Sequence, residues 1–330
     1  MVRIFLESLI LGVILFWLGV KYQPGWLKKR WGGIILIIAF IFLVLFHREL
    51  ELTPQIRGLI LGSIFILFFG LLDDYFNLNW KWQFLFQIFL VVVLIFSGFQ
   101  IDSIRLLSGE WRLDNWIFQS ISWGSAVFIF FWVVSLINAL NWLDGIDSSL
   151  VAVALPGALS IMAVSFFPEV NQPAIGILAI ILSGLLAAFL FFNFPPAKVE
   201  AGTTGSYFIG FILAALAIIA GSKIATASVV LLLPLLDFLW VIAERMTDGQ
   251  IVTLKDKRHL HYRLRELGWS QRKIFFVYFL FSLTVLVLYL QLDTRFQRLT
   301  LLVGEGLSIL LFLGIIRIRL RKLKDNNKSN

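Results

Sequence analysis

Cysteine is absent from the 330-residue chain, which removes disulfides, thiolate metal sites and a cysteine nucleophile. Histidine occurs three times, too few for a His-rich metal cage. Charge is scarce as well: 15% of residues are Asp, Glu, Lys or Arg, against about 25% in an average soluble domain. With 59% hydrophobic residues and a mean hydropathy of +0.90, the chain cannot cover a water-facing surface with polar groups. A soluble globular enzyme and a disordered chain are therefore both excluded. What the sequence holds in excess is long apolar runs and positive charge, a net +8 with a pI near 9.8. Beside a membrane such charge marks basic loops facing anionic lipid, and no nucleic acid is needed to explain it.

A bilayer core of about 30 Å takes about 20 apolar residues in a helix. Runs of this kind lie near residues 4–20, 31–46, 57–72, 82–99, 119–138, 149–167, 174–193, 205–221, 224–243, 273–292 and 299–316. The expected fold is all-α: a polytopic integral membrane protein of about eleven transmembrane helices, with residues 1–330 forming a single domain. The first run follows Arg3 and meets no small-x-small cleavage site before Lys21 and Tyr22, so it reads as a span rather than a cleaved leader. An odd number of spans puts the termini on opposite sides. With the N-terminus outside, most of the 28 Lys and Arg fall inside, among them Lys28, Lys29, Arg30, Lys255, Lys257, Arg258, Arg263 and the tail from Arg317. This predicts an outer N-terminus and a cytoplasmic C-terminus.

In so apolar a chain the carboxylates and their neighbours carry the information. The third run ends in Asp73-Asp74, and the fifth in Asn138-Ala139-Leu140-Asn141-Trp142-Leu143-Asp144-Gly145-Ile146-Asp147. After the seventh come Lys198, Glu200, Gly202, Thr203, Gly205 and Ser206, and after the ninth Asp256-Lys257-Arg258-His259-Leu260-His261-Tyr262-Arg263. In the topology above all four clusters meet the cytoplasm. Adjacent acids and a D-x-x-D pair supply the hard oxygens that Mg²⁺ prefers. Asn138, Asn141 and Asp144 share a helical face. Gly202, Gly205 and Ser206 just before an apolar helix offer amide N–H groups to a phosphate. His259, His261 and Arg263 suit an anionic diphosphate. Asp237 lies deep in the ninth run, with Arg245 as a candidate partner. Glu305 sits within the last run. An ion-coupled transporter would spread such acids across the membrane, whereas most motif acids here gather at one face.

These motifs resemble those of the polyprenyl-phosphate N-acetylhexosamine-1-phosphate transferases, in the family's order, from about residue 55 to 270. The acidic pair matches Asp73-Asp74, the N-A-x-N-x-x-D-G-x-D motif runs from Asn138 to Asp147, and the F-N-x-P-P-A-K stretch from Phe192 to Lys198. The G-x-x-G-S turn is Gly202 to Ser206, and the H-L-H-x-R loop includes His259, His261 and Arg263. Pro234 and Asp237 match a P-x-x-D pattern. The H-L-H-x-R form is closer to the GlcNAc branch than to the peptidoglycan branch.

The resemblance implies transfer of a sugar 1-phosphate, GlcNAc 1-phosphate above all, from a UDP-N-acetylhexosamine to a polyprenyl phosphate such as undecaprenyl phosphate, with release of UMP. It places the enzyme in a bacterial cytoplasmic membrane and leaves a homodimer open. It implies Mg²⁺ or Mn²⁺ held by some of Asp73, Asp74, Asp144 and Asp147. It makes these acids, with His259 and His261, the catalytic set, and Asn138, Asn141, Lys198, Gly202, Thr203, Gly205, Ser206 and Arg263 the substrate-binding set. The chain departs from the pattern at Asn77, Ser148, Tyr262 and above all Thr203, which stands where the family has an Asp. The expectation is a working transferase with a reshaped metal shell, in which Thr203 or Glu200 takes part. The alternative is a homologue that binds lipid phosphate or nucleotide sugar without turnover.

Overall fold

The computed structural model describes residues 1–22, 29–106, 109–113, 117–118, 121–168, 170–219, 224–249, 257–292 and 294–329. Lys28, Lys255 and Asp256 lie outside the described residues. The helices are α1 (Val2–Tyr22), α2 (Gly32–Phe46), α3 (Pro54–Phe76), α4 (Trp80–Phe96), α5 (Trp123–Leu143), α6 (Ser149–Ser165), α7 (Pro173–Asn193), α8 (Gly202–Ile219), α9 (Ile224–Thr247), α10 (Leu260–Glu266), α11 (Gln271–Leu290) and α12 (Arg295–Ser329). Among the described residues seven helices are long and apolar enough to cross a membrane: α1, α3, α5, α7, α8, α11 and the Phe296–Leu323 part of α12. Helices α2, α4 and α6 are apolar but shorter, at 15, 17 and 17 residues. The protein is thus a helical, multi-pass membrane protein.

Three features differ from the sequence reading. The loop between α4 and α5 carries two short antiparallel hairpins, β1 (Ser103–Leu106) with β2 (Gly109–Arg112) and β3 (Ile117–Phe118) with β4 (Ile121–Ser122). The fifth run begins later than hydropathy suggests, because Ser122 caps α5 by accepting Ser125 N–H at 3.3 Å. That helix then continues through Asn138 and Asn141 to Leu143, since polar side chains do not interrupt a helix whose backbone is satisfied. The short α10 lies in the loop after α9.

Helices α7 and α8 form the middle of the bundle and are apolar on every side, the pattern of fully buried helices. α7 packs on α1 and α6, and α8 on α3 and α5. Small residues allow the approach. A Cβ on Gly210 of α8 would lie 2.8 Å from Ile137 Cα of α5, and one on Gly184 of α7 would lie 2.7 Å from Phe5 O of α1. The ends of α3, α5 and α7 and the start of α8 thereby converge at one end of the bundle.

Candidate active site

The first turn of α8 is closed by acids from α3. Asp74 Oδ1 accepts Thr203 N–H at 2.8 Å, and Asp74 Oδ2 accepts Thr204 N–H at 3.1 Å and Thr204 Oγ1 at 2.8 Å. Gly205 N–H donates to Ala201 O, and the Asp144 carboxylate lies near the Gly202 amide. A helix leaves its first amide hydrogens without intrahelical partners. Here Asp74, from a distant part of the chain, takes those of Thr203 and Thr204, a stabilising match to the positive end of the helix dipole. Of the residues read as a phosphate cradle, Gly202 and Thr203 line the polar cavity, and Gly205 and Ser206 do not. Ser206 Oγ instead donates to Asn141 Oδ1 at 2.8 Å. Gly202 adopts φ +67°, and a Cβ there would lie 2.7 Å from Asp74 Oδ2.

Asp73 is buried between the same elements. Its Oδ1 accepts Leu78 N–H at 3.1 Å and Gln83 Nε2 at 2.8 Å, and its Oδ2 accepts Thr203 Oγ1 at 2.6 Å. Gln87, one turn along α4 from Gln83, donates to Asn138 Oδ1 and to Tyr207 Oη, while Asn138 Nδ2 donates back to Gln87 Oε1 at 2.7 Å. Asn138 is therefore a helix-packing group.

Beyond Leu143 the chain turns sharply. Ser148 takes a left-handed conformation, φ +63°, which favours glycine. Its N–H donates to Asn193 Oδ1 at 2.9 Å and its Oγ to Asn193 O at 2.8 Å, holding the turn against α7. Asp147 Oδ2 accepts Ala197 N–H at 3.0 Å. Gly145 lies under the α10 loop, where a Cβ would fall 2.4 Å from Tyr262 Oη and 2.6 Å from His261 Nε2.

The segment before α2 is laced to the segment before α8. Glu200 N–H donates to Lys29 O, Gly32 N–H to Glu200 O and Gly33 N–H to Ala201 O, at 2.8, 3.0 and 3.1 Å. Gly33 permits this contact, since a Cβ would sit 2.1 Å from Gly205 N. The lacing carries Arg30 to the cavity, with its Nε 3.9 Å from Glu200 Oε2. Lys198, by contrast, is exposed and lies away from the cavity lining.

The loop after α9 is held from beneath. His259 Nδ1 lies 2.9 Å from Asp237 Oδ2, and Leu260 N–H donates to Asp237 Oδ1 at 2.8 Å. Asp237 thus reaches His259, where the sequence reading suggested Arg245. Arg263 is buried in an ion pair with Glu244, which also accepts Arg317 Nε at 3.1 Å and Trp240 Nε1 at 2.7 Å. Glu244 thus ties α9, α10 and α12 together, and Arg263 does not line the cavity. His261 is fully buried, and among the described residues neither ring nitrogen has a partner. Burial lowers its pKa to about 3, so it stays neutral at physiological pH.

A polar cavity of about 440 Å³ gathers Asp73, Asp74, Asp144, Asp147 and Glu200 with Asn141, Gly202, Thr203, His259 and Arg30. Arg30 is the only Lys or Arg among its described lining residues. Burial, followed by the Glu200 and Asp74 charges, pushes the Asp144 carboxyl well above the usual carboxylate range. Such crowding of acids is relieved by a cation. The donors are hard oxygens, the kind Mg²⁺ or Mn²⁺ takes. Among the described residues no three acids or histidines close on one point. Mg²⁺ commonly binds one or two carboxylates and fills its remaining positions with water and phosphate oxygens.

Sequence reasoning missed Arg30, Gln83, Trp142, Asn193 and Gln271, all of which line the cavity. It named no residue of the apolar groove of about 1040 Å³ between α5, α9 and α12, lined by Val127, Phe131, Leu232, Leu236, Val303 and Leu310. Helix α5 carries both groove and cavity residues, and α9 carries the groove residues beside Asp237. Only the length and apolarity of those spans hinted at the groove.

Residues 56–221 match the model of glycosyl transferase family 4. The chain is 28% identical over 274 residues to a Bacillus subtilis (strain 168) protein named as a probable undecaprenyl-phosphate N-acetylglucosaminyl 1-phosphate transferase, covering 79% of this chain and 74% of that one. It is 27% identical over 290 residues to the decaprenyl-phosphate N-acetylglucosaminephosphotransferase of Mycolicibacterium smegmatis, covering 77% and 68%. It is 27% identical over 275 residues to the phospho-N-acetylmuramoyl-pentapeptide-transferase of Bacillus pumilus, covering 78% and 81%.

Proposed function

This chain belongs to glycosyl transferase family 4, the polyprenyl-phosphate N-acetylhexosamine-1-phosphate transferases, and we propose that it moves GlcNAc 1-phosphate from UDP-GlcNAc to undecaprenyl phosphate. At the family level the reaction passes a sugar phosphate from a UDP-sugar to a polyprenyl phosphate. The carrying observation is the carboxylate-rich cavity, with an apolar groove further along α5, the helix that lines both. A prenyl chain suits the groove and a diphosphate with a cation suits the cavity.

Oxygens drawn from Asp73, Asp74, Asp144 and Asp147, with Thr203 Oγ1 or Glu200 in support, would hold Mg²⁺ or Mn²⁺. Such an ion, when bound, neutralises the diphosphate in the transition state. Arg30 faces the same space and supplies charge-assisted donors to phosphate oxygens. His259 borders it from α10. The acceptor phosphate has a second pKa near 6 and is mostly dianionic at neutral pH. Its oxygen attacks the β-phosphorus of the UDP-sugar, the bond to the α-phosphate oxygen breaks and UMP leaves.

The same reading makes residues 1–330 one integral-membrane domain of eleven spans in a bacterial cytoplasmic membrane. The basic-residue pattern supports an outer N-terminus and an inner C-terminus, with the cavity facing the cytoplasm and a first step of cell-envelope glycan synthesis carried out there. Purified protein with undecaprenyl phosphate, UDP-GlcNAc and Mg²⁺ tests the reading. UMP release above a lipid-free control is expected. Binding of either substrate without UMP release would favour a non-turning homologue, and neither binding nor release would overturn both.

A further inference from the structure

Asp237 lies one helix away from the acidic cavity, yet its carboxylate is committed to a residue that lines it. Asp237 and His259 are 6% and 3% exposed. Oδ1 of Asp237 holds the Leu260 amide and Oδ2 holds His259 Nδ1, so position and rotation of the ring are both set by one side chain. The ring faces are covered too. Trp142 packs on His259 with centroids 4.7 Å apart, and His261 stacks parallel at 5.9 Å. Phe238, next to Asp237 on α9, backs Trp142 at 4.9 Å.

An ionised carboxylate accepts hydrogen bonds and donates none, so the proton between Asp237 and His259 sits on Nδ1. A neutral imidazole with Nδ1–H carries its lone pair on Nε2. With Nδ1 committed to Asp237, Nε2 is the ring nitrogen left for the cavity.

We infer that Asp237 is a positioning residue that fixes His259 as the Nδ1–H tautomer and presents Nε2 to the polar cavity as a proton acceptor. Resting on the transferase reading, the proton in question is that of a monoprotonated acceptor phosphate. It passes from the phosphate oxygen to Nε2, leaving the dianion as nucleophile, while Asp237 stabilises the resulting imidazolium. The imidazolium gives this proton to solvent after UMP leaves, so the enzyme returns to its starting protonation and one proton is released for each monoprotonated acceptor.

With three histidines in the chain, ¹⁵N-histidine NMR of the full protein in nanodiscs resolves this without substrate. The expected His259 pattern is protonated Nδ1 and unprotonated Nε2. Asp237→Asn should turn the ring toward Nε2–H, because the Asn amide can donate to Nδ1, and Asp237→Glu should restore the wild-type pattern. His259→Asn keeps a donor near Asp237 but lacks Nε2. It should melt close to wild type, while kcat falls at least about tenfold at pH 5, where the acceptor is mostly monoprotonated, and the loss shrinks toward pH 8, with KM for the UDP-sugar within about twofold. A wild-type ring in the Nε2–H form, or a folded His259→Asn enzyme with wild-type kcat at pH 5, overturns the inference. Should the wild type release no UMP, the transferase reading fails while the NMR result still decides the tautomer.

Discussion

Thr203 Oγ1 donates to Asp73 Oδ2 at 2.6 Å, so a neutral hydroxyl ties the start of α8 to the end of α3 inside a cavity crowded with acids. A third carboxylate at this point would add charge where, among the described lining residues, Arg30 is the only Lys or Arg to offset it. Thr203→Val is expected to cost about 1 kcal/mol of stability through loss of the donor. Thr203→Asp is expected to melt below wild type in EDTA and to recover most of the difference in Mg²⁺. Thermal unfolding in detergent, with and without Mg²⁺, checks both. A Thr203→Asp protein equally stable under the two conditions would contradict this view of the cavity.

Asp74 is a helix cap as well as a candidate cation ligand. Asp74→Asn keeps the shape but loses the charge that faces three donors on Thr203 and Thr204. The expected outcome is a loss of about 1–2 kcal/mol in stability, together with loss of Mg²⁺-dependent turnover. Expression, a melting curve and UMP release are measured on one preparation. Full activity in Asp74→Asn would remove Asp74 from the cation set.

Arg30 brings a guanidinium to the cavity, loosely engaged by Glu200. Arg30→Gln removes a charge-assisted donor, worth about 1.5–3 kcal/mol. KM for the UDP-sugar should rise by roughly tenfold or more, with the melting temperature nearly unchanged. A fall in stability at constant KM would instead make Arg30 an anchor for its loop.

His261 gives a pH dependence of defined sign. Its native pKa is lowered to about 3 by burial, while the unfolded chain protonates a histidine near 6.5. Below about pH 6.5 the unfolded state binds the extra proton, so stability falls as the pH falls, by up to about 1.4 kcal/mol per unit. Denaturation of wild type and His261→Gln at pH 7.5 and 5.5 reads the effect. The wild type should lose roughly 1 kcal/mol more than the variant across that interval. Equal losses would mean that His261 titrates alike in both states.

Seven of the eleven expected spans stand as helices long and apolar enough to cross a membrane, legible because bilayer thickness writes itself into the length of apolar runs. Gathering of Asp73, Asp74, Asp144, Asp147 and Glu200 was legible because alternating spans return every second loop to one side. What each of these side chains holds was not legible. The amide hydrogens of α8 look free in sequence, and only the folded bundle shows that Asp74 takes those of Thr203 and Thr204. Asp237 reads as an isolated acid in an apolar run until α10 folds back and sets His259 against it. Arg30 reads as one of many inside charges, and backbone pairing of two distant loops singles it out. Asn138 and Asn141 share a helix face, yet Gln87 claims one and Ser206 the other. Contacts of that range carry no periodicity for a sequence to reveal.

The central claim is that the sugar travels with its phosphate. UDP-GlcNAc labelled at the β-phosphorus, incubated with the purified protein, undecaprenyl phosphate and Mg²⁺, tests it directly. The label is predicted to move into the lipid diphosphate while unlabelled UMP is released, with EDTA stopping both. Label remaining in the nucleotide as UDP, with sugar alone on the lipid, would contradict the account.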